Sequence, residues 1–89
     1  MNYDKIKRFI DENNYDKAMD EIDLLISQNA DDDEAYYLKG KVYQRQQKLD
    51  NAIIAYNKAI ELNKDSKAVT VLEMLYGILG SLNNEIIET

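Results

Sequence analysis

Apolar residues recur at helical spacing along most of the chain, and short polar segments separate the runs. In the clearest run, apolar side chains occupy positions i, i+4, i+7 and i+8, as on one face of an amphipathic helix: Ala18, Ile22, Leu25 and Ile26. Similar runs predict five helices, over residues 3–11, 15–28, 33–46, 49–62 and about 66–82. The predicted fold is therefore all-α, an arrangement of antiparallel helix hairpins.

The polar segments between the runs contain residues that favour turns and helix starts. Asn13 and Asn14 follow the first run, and asparagine tolerates the left-handed backbone of a tight turn. Residues 31–34 are all acidic and precede the third run, where an aspartate can cap a helix and negative charge suits the helix dipole. Gly40 lies inside the third run, which indicates close approach of a neighbouring helix, because glycine costs a helix about 1 kcal/mol relative to alanine.

A short motif occurs twice with an interval of 34 residues. Residues 15–18 read Tyr-Asp-Lys-Ala and residues 49–52 read Leu-Asp-Asn-Ala, so Ala52 echoes Ala18. A fixed period of this length is typical of stacked helical repeats, that is, of an α-solenoid. We expect a single domain over residues 1–83, with a first repeat over about 1–32, a second over 33–66 and a closing helix over 67–83. Residues 84–89 are predicted to be a C-terminal tail.

The same apolar positions predict the core of this domain. Its expected members come from all five helices: Ile6, Phe9, Ile10, Ala18, Ile22, Leu25, Tyr36, Gly40, Tyr43, Ala52, Tyr56, Ala59, Leu72 and Leu75.

Composition supports a nearly all-helical chain and argues against catalysis. The 89 residues include no proline and three glycines, as expected where helices dominate. Cysteine and histidine are also absent, which removes the thiolate nucleophile, the commonest general base and the commonest metal ligands. We therefore expect no enzymatic activity, no cofactor and no metal. The N-terminus lacks the apolar segment of a secretory signal, and no apolar run could span a bilayer, so the expected location is cytoplasmic.

Charge is distributed unevenly along the chain. The net charge is −6, but residues 1–34 carry 4 basic and 11 acidic groups, a net −7, whereas residues 35–66 carry 6 and 3, a net +3. An acidic chain is a poor ligand for nucleic acid or for an anionic membrane. We expect a protein or peptide partner, with no binding to nucleic acid or membrane.

The middle of the chain resembles the tetratricopeptide repeat family. The aromatic, glycine and alanine positions of that family are matched in the second repeat by Tyr36, Gly40, Tyr43, Ala52, Tyr56 and Ala59. The proline that usually ends the repeat is replaced by Lys64, and the first repeat matches less well, keeping mainly Ala18. The whole resembles small stand-alone bacterial proteins with two repeats and a closing helix. The resemblance implies a non-enzymatic protein–protein interaction module or scaffold.

The resemblance also implies a binding surface, because repeats of this family present the first helix of each hairpin on a concave face. The positions that usually face a partner there are Tyr3, Lys7, Tyr37, Lys41, Gln44, Arg45, Val71 and Leu75. Tyrosine offers a large contact area with a polar tip, and lysine can meet a carboxylate. An ordinary solvated helix face is the alternative interpretation of the same pattern.

The best-known ligand of the family, the C-terminal carboxylate of chaperone tails, is not expected here. The resemblance places the five clamp positions at Tyr3, Lys7, Lys41, Ala68 and Leu72, and none carries the residue that the clamp requires.

The predicted closing helix is apolar on more than one stripe, whereas a terminal helix of a repeat array normally has a polar outer face. Its apolar residues are Val69, Val71, Leu72, Met74, Leu75, Ile78 and Leu79. Completion of the core is the simplest explanation. The alternative function is that of a structural or assembly protein that self-associates through this helix, for example as a homodimer.

Acidic clusters do not match known metal or catalytic motifs. Counted from Asp31, the sixth position of a calcium-binding loop would be Tyr36 rather than the required glycine. Paired carboxylates such as Asp16 and Asp20 arise by chance on so acidic a surface. We expect capping and solvated charge instead of a catalytic or metal site.

Overall fold

Five α-helices follow one another without strands in the computed structural model, which describes the backbone of residues 3–87 and the side chains of residues 3–78. Their bounds are α1 (Tyr3–Asp11), α2 (Tyr15–Gln28), α3 (Asp33–Arg45), α4 (Leu49–Leu62) and α5 (Ala68–Ile87). The predicted all-α fold is confirmed, and α1, α2 and α4 have the predicted bounds. Three-residue turns join α1 to α2 and α3 to α4, and each pair packs together as a hairpin.

The last helix differs from the prediction at both ends. It begins at Ala68 rather than near residue 66, and it continues to Ile87 rather than ending near residue 82. The helix therefore includes residues 84–87, which were predicted to form a tail, while residues 88 and 89 lie outside the described residues. The end of α3 is one residue earlier than predicted, at Arg45.

The turns repeat their geometry at the 34-residue interval. Asn13 and Gln47 both have a left-handed backbone, with φ of 60° and 62°. Asn29 and Asn63 both end a helix in extended conformation, and each side chain accepts a backbone N–H two residues later at 3.0 Å. The sequence period is thus also a period of backbone conformation.

A buried capping side chain precedes both α3 and α5. Asp32 accepts a hydrogen bond from the backbone N–H of Ala35 at 3.1 Å, which confirms the predicted aspartate cap of α3. At the equivalent place before α5, the hydroxyl of Ser66 accepts the N–H of Ala68 at 3.1 Å. These bonds satisfy helix N–H groups that have no partner inside the helix.

The core consists of two clusters of buried side chains. The first cluster comes from α1, α2 and α3, and the second from α4 and α5: Ile6, Ile10, Ala18, Ile22, Ala35, Leu38 and Val42, then Ala52, Tyr56, Ala59, Ala68, Leu72 and Leu75. Tyr37 is partly buried and packs against both clusters.

The predicted core was mostly right but differed at several positions. Leu38 and Val42 are fully buried, although the prediction omitted both. Four predicted members are only partly buried: Phe9, Leu25, Tyr36 and Tyr43.

Gly40 permits the tight contact between α3 and α4. A Cβ atom at this position would lie 2.5 Å from two ring carbons of Tyr56, a distance that real side chains do not reach. Tyr56 is fully buried there. The close approach that Gly40 predicted is confirmed.

Among the described residues, no helix has both the length and the apolar character that a bilayer crossing requires.

Candidate functional site

A groove forms around Tyr37, at the junction of α1, α3 and the residue preceding α5. It contains a cavity of about 290 Å³ lined by Lys7, Ile10, Asp11, Tyr37, Leu38, Lys41 and Lys67. We call this site the Tyr37 groove. The structure therefore brings together three of the predicted binding residues, Lys7, Tyr37 and Lys41.

The ring of Tyr56 and two cations lie against the ring of Tyr37. Its centroid lies 5.9 Å from that of Tyr56, with the two rings tilted by 41°. The Nζ atoms of Lys41 and Lys67 each lie 5.8 Å from the Tyr37 centroid, within the range of a cation–π interaction. The groove thus has an aromatic wall held by the core and ammonium groups beside it.

The charge of the Tyr37 groove is positive, with three ammonium groups and the single carboxylate of Asp11 among its lining residues. Lys67 lies 3.7 Å from Glu34; the lysine is exposed and the glutamate partly exposed, so water screens part of their attraction. Within the part of the chain whose side chains are described, Lys7 and Lys41 have no ion pair. Their charges remain available to an incoming group.

Tyr3 and Gln44, two predicted binding residues, instead hold the fold together. The hydroxyl of Tyr3 donates to the carboxylate of Asp32, with oxygen distances of 2.9 and 3.0 Å. Gln44 accepts a hydrogen bond at 2.6 Å from the hydroxyl of the buried Tyr56. Neither residue lines the groove cavity.

The other predicted binding residues also lie outside the cavity lining. Arg45 is exposed at the last position of α3. Leu75 is buried in the second cluster, and Val71 packs against that cluster while partly exposed. Val71 and Leu75, which were expected to face a partner, therefore belong largely to the core, because α5 turns these side chains toward α4.

The sequence did not predict four of the groove residues, namely Ile10, Asp11, Leu38 and Lys67. Lys67 directly precedes α5 and follows the capping residue Ser66, and its Nζ lies beside the ring of Tyr37. The signal available in the sequence was a lysine next to a predicted helix start, which by itself indicates only a solvated charge.

Burial and hydrogen bonding raise the pKa of two tyrosines. The pKa of Tyr3 rises to about 12, because burial disfavours the phenolate, and the hydrogen bond and negative charge of Asp32 act in the same direction. The pKa of Tyr56 is also raised, mainly by burial and secondarily by Tyr37. Both hydroxyls act as structural donors.

A second cavity, of about 320 Å³, lies between α3 and α4. It is lined by Tyr36, Lys39, Tyr43, Asn51, Ile54, Ala55 and Lys58. Its two lysines are paired, Lys39 with Asp23 at 3.4 Å and Lys58 with Glu61 at 3.6 Å. Its cations are therefore compensated, unlike Lys7 and Lys41.

The acidic surface offers no converging ligand set in the described part of the chain, where no group of three acidic side chains is arranged to hold a metal ion. The chemistry available in the Tyr37 groove is noncovalent: aromatic contact, hydrogen bonding and charge attraction.

Antiparallel helix hairpins with a repeating turn geometry define the chain as a helical repeat protein. The family model for the tetratricopeptide repeat matches residues 33–66, which comprise α3, α4 and the following turn. Residues 33–66 thus form a repeat of the tetratricopeptide type, and the five helices around it are consistent with a protein of that type. Such repeats generally act as non-catalytic modules that bind proteins or peptides. Comparisons with curated proteins and with solved structures gave no significant match.

Proposed function

We propose that this protein is a non-enzymatic interaction module that holds a segment of a partner protein in the Tyr37 groove. The observation that supports the proposal most directly is the cavity beside Tyr37, which joins an aromatic wall to unpaired lysines. Partner-binding surfaces commonly centre on such an aromatic anchor. The cytoplasmic location remains a sequence-based prediction.

The groove has room for part of a peptide segment. Its cavity of about 290 Å³ is close to the lower end of the usual range for ligand sites, roughly 300–1,000 Å³. Such a volume suits one or two side chains of a longer segment. The remainder of the segment would lie along the neighbouring helices.

Affinity purification with a charge-reversed groove tests this proposal. Wild-type protein and the Lys41→Glu variant are immobilised and exposed to native lysate, and the retained proteins are compared by mass spectrometry. Lys48→Glu is the matched control, because Lys48 is exposed in the turn before α4 and does not line the groove. We expect Lys41→Glu to lose partners that Lys48→Glu keeps. Retention of every partner by Lys41→Glu would contradict the proposal.

Self-association through α5 is the second candidate function. Three of its side chains are large, apolar and exposed, namely Met74 at 55%, Tyr76 at 50% and Ile78 at 56%. Met74 and Ile78 are four residues apart and so share one face of the helix. A second copy of α5 would cover this face in a two-fold symmetric dimer.

Sedimentation equilibrium tests the dimer. We expect the wild-type mass to approach that of two chains as concentration rises, and Met74→Glu to remain at that of one chain. Ile54→Glu is the control, since Ile54 is exposed to 67% on α4. A wild-type protein that stays monomeric at millimolar concentration would exclude this candidate.

A further inference from the structure

The Tyr37 groove carries the opposite sign of charge from the chain that contains it. The protein has a net charge of −6, and residues 1–34 alone carry −7. The groove nevertheless collects Lys7, Lys41 and Lys67, the last two beside the ring of Tyr37. Against them stand the carboxylate of Asp11 in the lining and that of Glu34, which pairs with Lys67. A local concentration of positive charge attracts an anionic group to this place in particular.

The two cavities differ in whether their lysines are already satisfied. Lys39 and Lys58 of the α3–α4 cavity each have a carboxylate within 4 Å. Among the described side chains, Lys7 and Lys41 of the groove have none. An acidic ligand would therefore form new ion pairs in the groove, whereas in the other cavity it would compete with existing ones.

The apolar surface that the groove offers is mainly aromatic. Ile10 and Leu38 line the cavity but are almost fully buried, at 3% and 1% exposure, whereas the ring of Tyr37 is only partly buried. A ligand that carried charge alone would leave this ring exposed to water. The best complement is an apolar side chain with carboxylates on neighbouring residues, which would cover the ring and reach the surrounding ammonium groups.

Building on the proposed groove function, we propose that the occupant is an internal acidic segment of a partner protein, in which carboxylate side chains flank an apolar residue. Lys7 and Lys41 pair with the carboxylates, Lys67 adds to the positive field, and the apolar side chain contacts Tyr37. The lysines come from α1, α3 and the residue before α5, so they are placed to meet several carboxylates along a segment.

A polyanionic nucleic acid fits the observations less well. Tyr37 is the only aromatic residue among those that line the groove cavity, whereas binding of single strands usually relies on a series of stacking platforms. The acidic residues of the first repeat would also repel an extended phosphate backbone.

Titration with two matched peptides, followed by two-dimensional ¹⁵N NMR, tests the proposal. The acidic probe is the acetylated, amidated pentapeptide DELED, and its control is NQLQN, which replaces every carboxylate with an amide. Both ends of each peptide are blocked, so a terminal carboxylate plays no part. We expect DELED to shift the amide signals of residues 7, 37 and 41, more strongly at low salt than at high salt, and NQLQN to bind at least several-fold more weakly.

Double lysine variants show which cavity binds the DELED peptide. Lys7→Gln with Lys41→Gln is expected to raise the dissociation constant for DELED about tenfold, as the loss of two partly screened ion pairs predicts. Lys39→Gln with Lys58→Gln removes the same charge from the other cavity, and we expect a change of less than about twofold.

Several results would contradict the proposal that an acidic segment occupies the groove. Equal affinity for DELED and NQLQN would do so while leaving groove binding intact, as judged by the affinity purification. So would shifts outside the groove, or no shifts at millimolar peptide. Shifts at residues 7, 37 and 41 that follow protein concentration alone would identify a second copy of the chain as the occupant. Tighter binding of a single-stranded oligonucleotide than of DELED at the same residues would point to nucleic acid instead.

Discussion

The ring of Tyr56 occupies the space that a side chain at position 40 would need. Position 40 must therefore be glycine as long as the tyrosine ring lies there. The ring cannot move aside easily, because it is fully buried and its hydroxyl is bonded to Gln44 at 2.6 Å. The contact fixes how closely α3 and α4 approach within the hairpin.

Replacing Gly40 with alanine should therefore destabilise the protein, even though alanine is the better helix former. Overpacking of this kind costs about 1–3 kcal/mol, and the gain in helix propensity offsets at most about 1 kcal/mol. Gly77→Ala is the matched control, because nothing lies within 4 Å of a Cβ at that position in α5. Urea denaturation should show a loss for Gly40→Ala and a gain for Gly77→Ala. A gain for both would mean that the contact is softer than the structure indicates.

The hydrogen bond between Tyr3 and Asp32 should contribute to stability through the cap of α3. Tyr3→Phe removes the donor and leaves the buried carboxylate with fewer partners, which we expect to cost about 1–2 kcal/mol. Asp32→Ala removes both the cap and the acceptor. Thermal unfolding of the two single variants and the double variant should show a double-variant loss smaller than the sum. Simple additivity would show that the two groups act independently.

Stability should fall at alkaline pH as Tyr3 ionises. The folded pKa of Tyr3, about 12, lies above its ordinary value of 10.0, so the folded state holds this proton more tightly than the unfolded chain. The associated stability is complete below pH 10 and is lost as the pH rises from 10 to 12. Tyr3→Phe should make this decline shallower, though the raised pKa of Tyr56 preserves part of it. Tyr76→Phe, at an exposed position, is the control, and an equal change in both variants would contradict the assignment.

The left-handed turn residue Gln47 should be improvable. The backbone of Gln47 has a φ of 62°, and this left-handed conformation costs a residue with a Cβ about 1–2 kcal/mol that glycine does not incur. Glycine, however, loses more conformational entropy on folding. We expect Gln47→Gly to stabilise the protein by about 0.5–1 kcal/mol in urea denaturation. Gln46→Gly is the neighbouring control at an ordinary φ of −82° and should destabilise. If Gln47→Gly also destabilised, an unrecognised role of the glutamine side chain would be indicated.

The helices were predictable because their signals are local. Apolar spacing and turn residues near Asn13 and Asp32 lie within a few positions of the helix ends that they define. The predicted end of α5, near residue 82 and shortly after Gly80, was wrong, since the helix continues to Ile87. Glycine inside a helix costs only about 1 kcal/mol, so without a proline it need not end one.

The candidate site was only partly predictable, because the contacts that form it join residues far apart in the sequence. Tyr3 bonds to a residue 29 positions away, and the reach of Lys67 to Tyr37 spans two helices. A residue's place in the period indicates which face it occupies. It does not indicate which distant hydrogen bond will engage it, and so Tyr3 and Gln44 were predicted to bind a partner although each is held within the fold.

Tyr37 belongs to the edges of both core clusters, and this has a consequence for how the protein unfolds. A repeat array melts cooperatively only to the extent that neighbouring units share contacts. Tyr37 is one such shared contact and also lines the groove. A segment bound at Tyr37 would therefore stabilise the packing of both core clusters. Partner binding would then change hydrogen exchange. The amide protons of α2 and α4 would exchange with solvent as one cooperative unit when the groove is occupied, and as two separate units when it is empty.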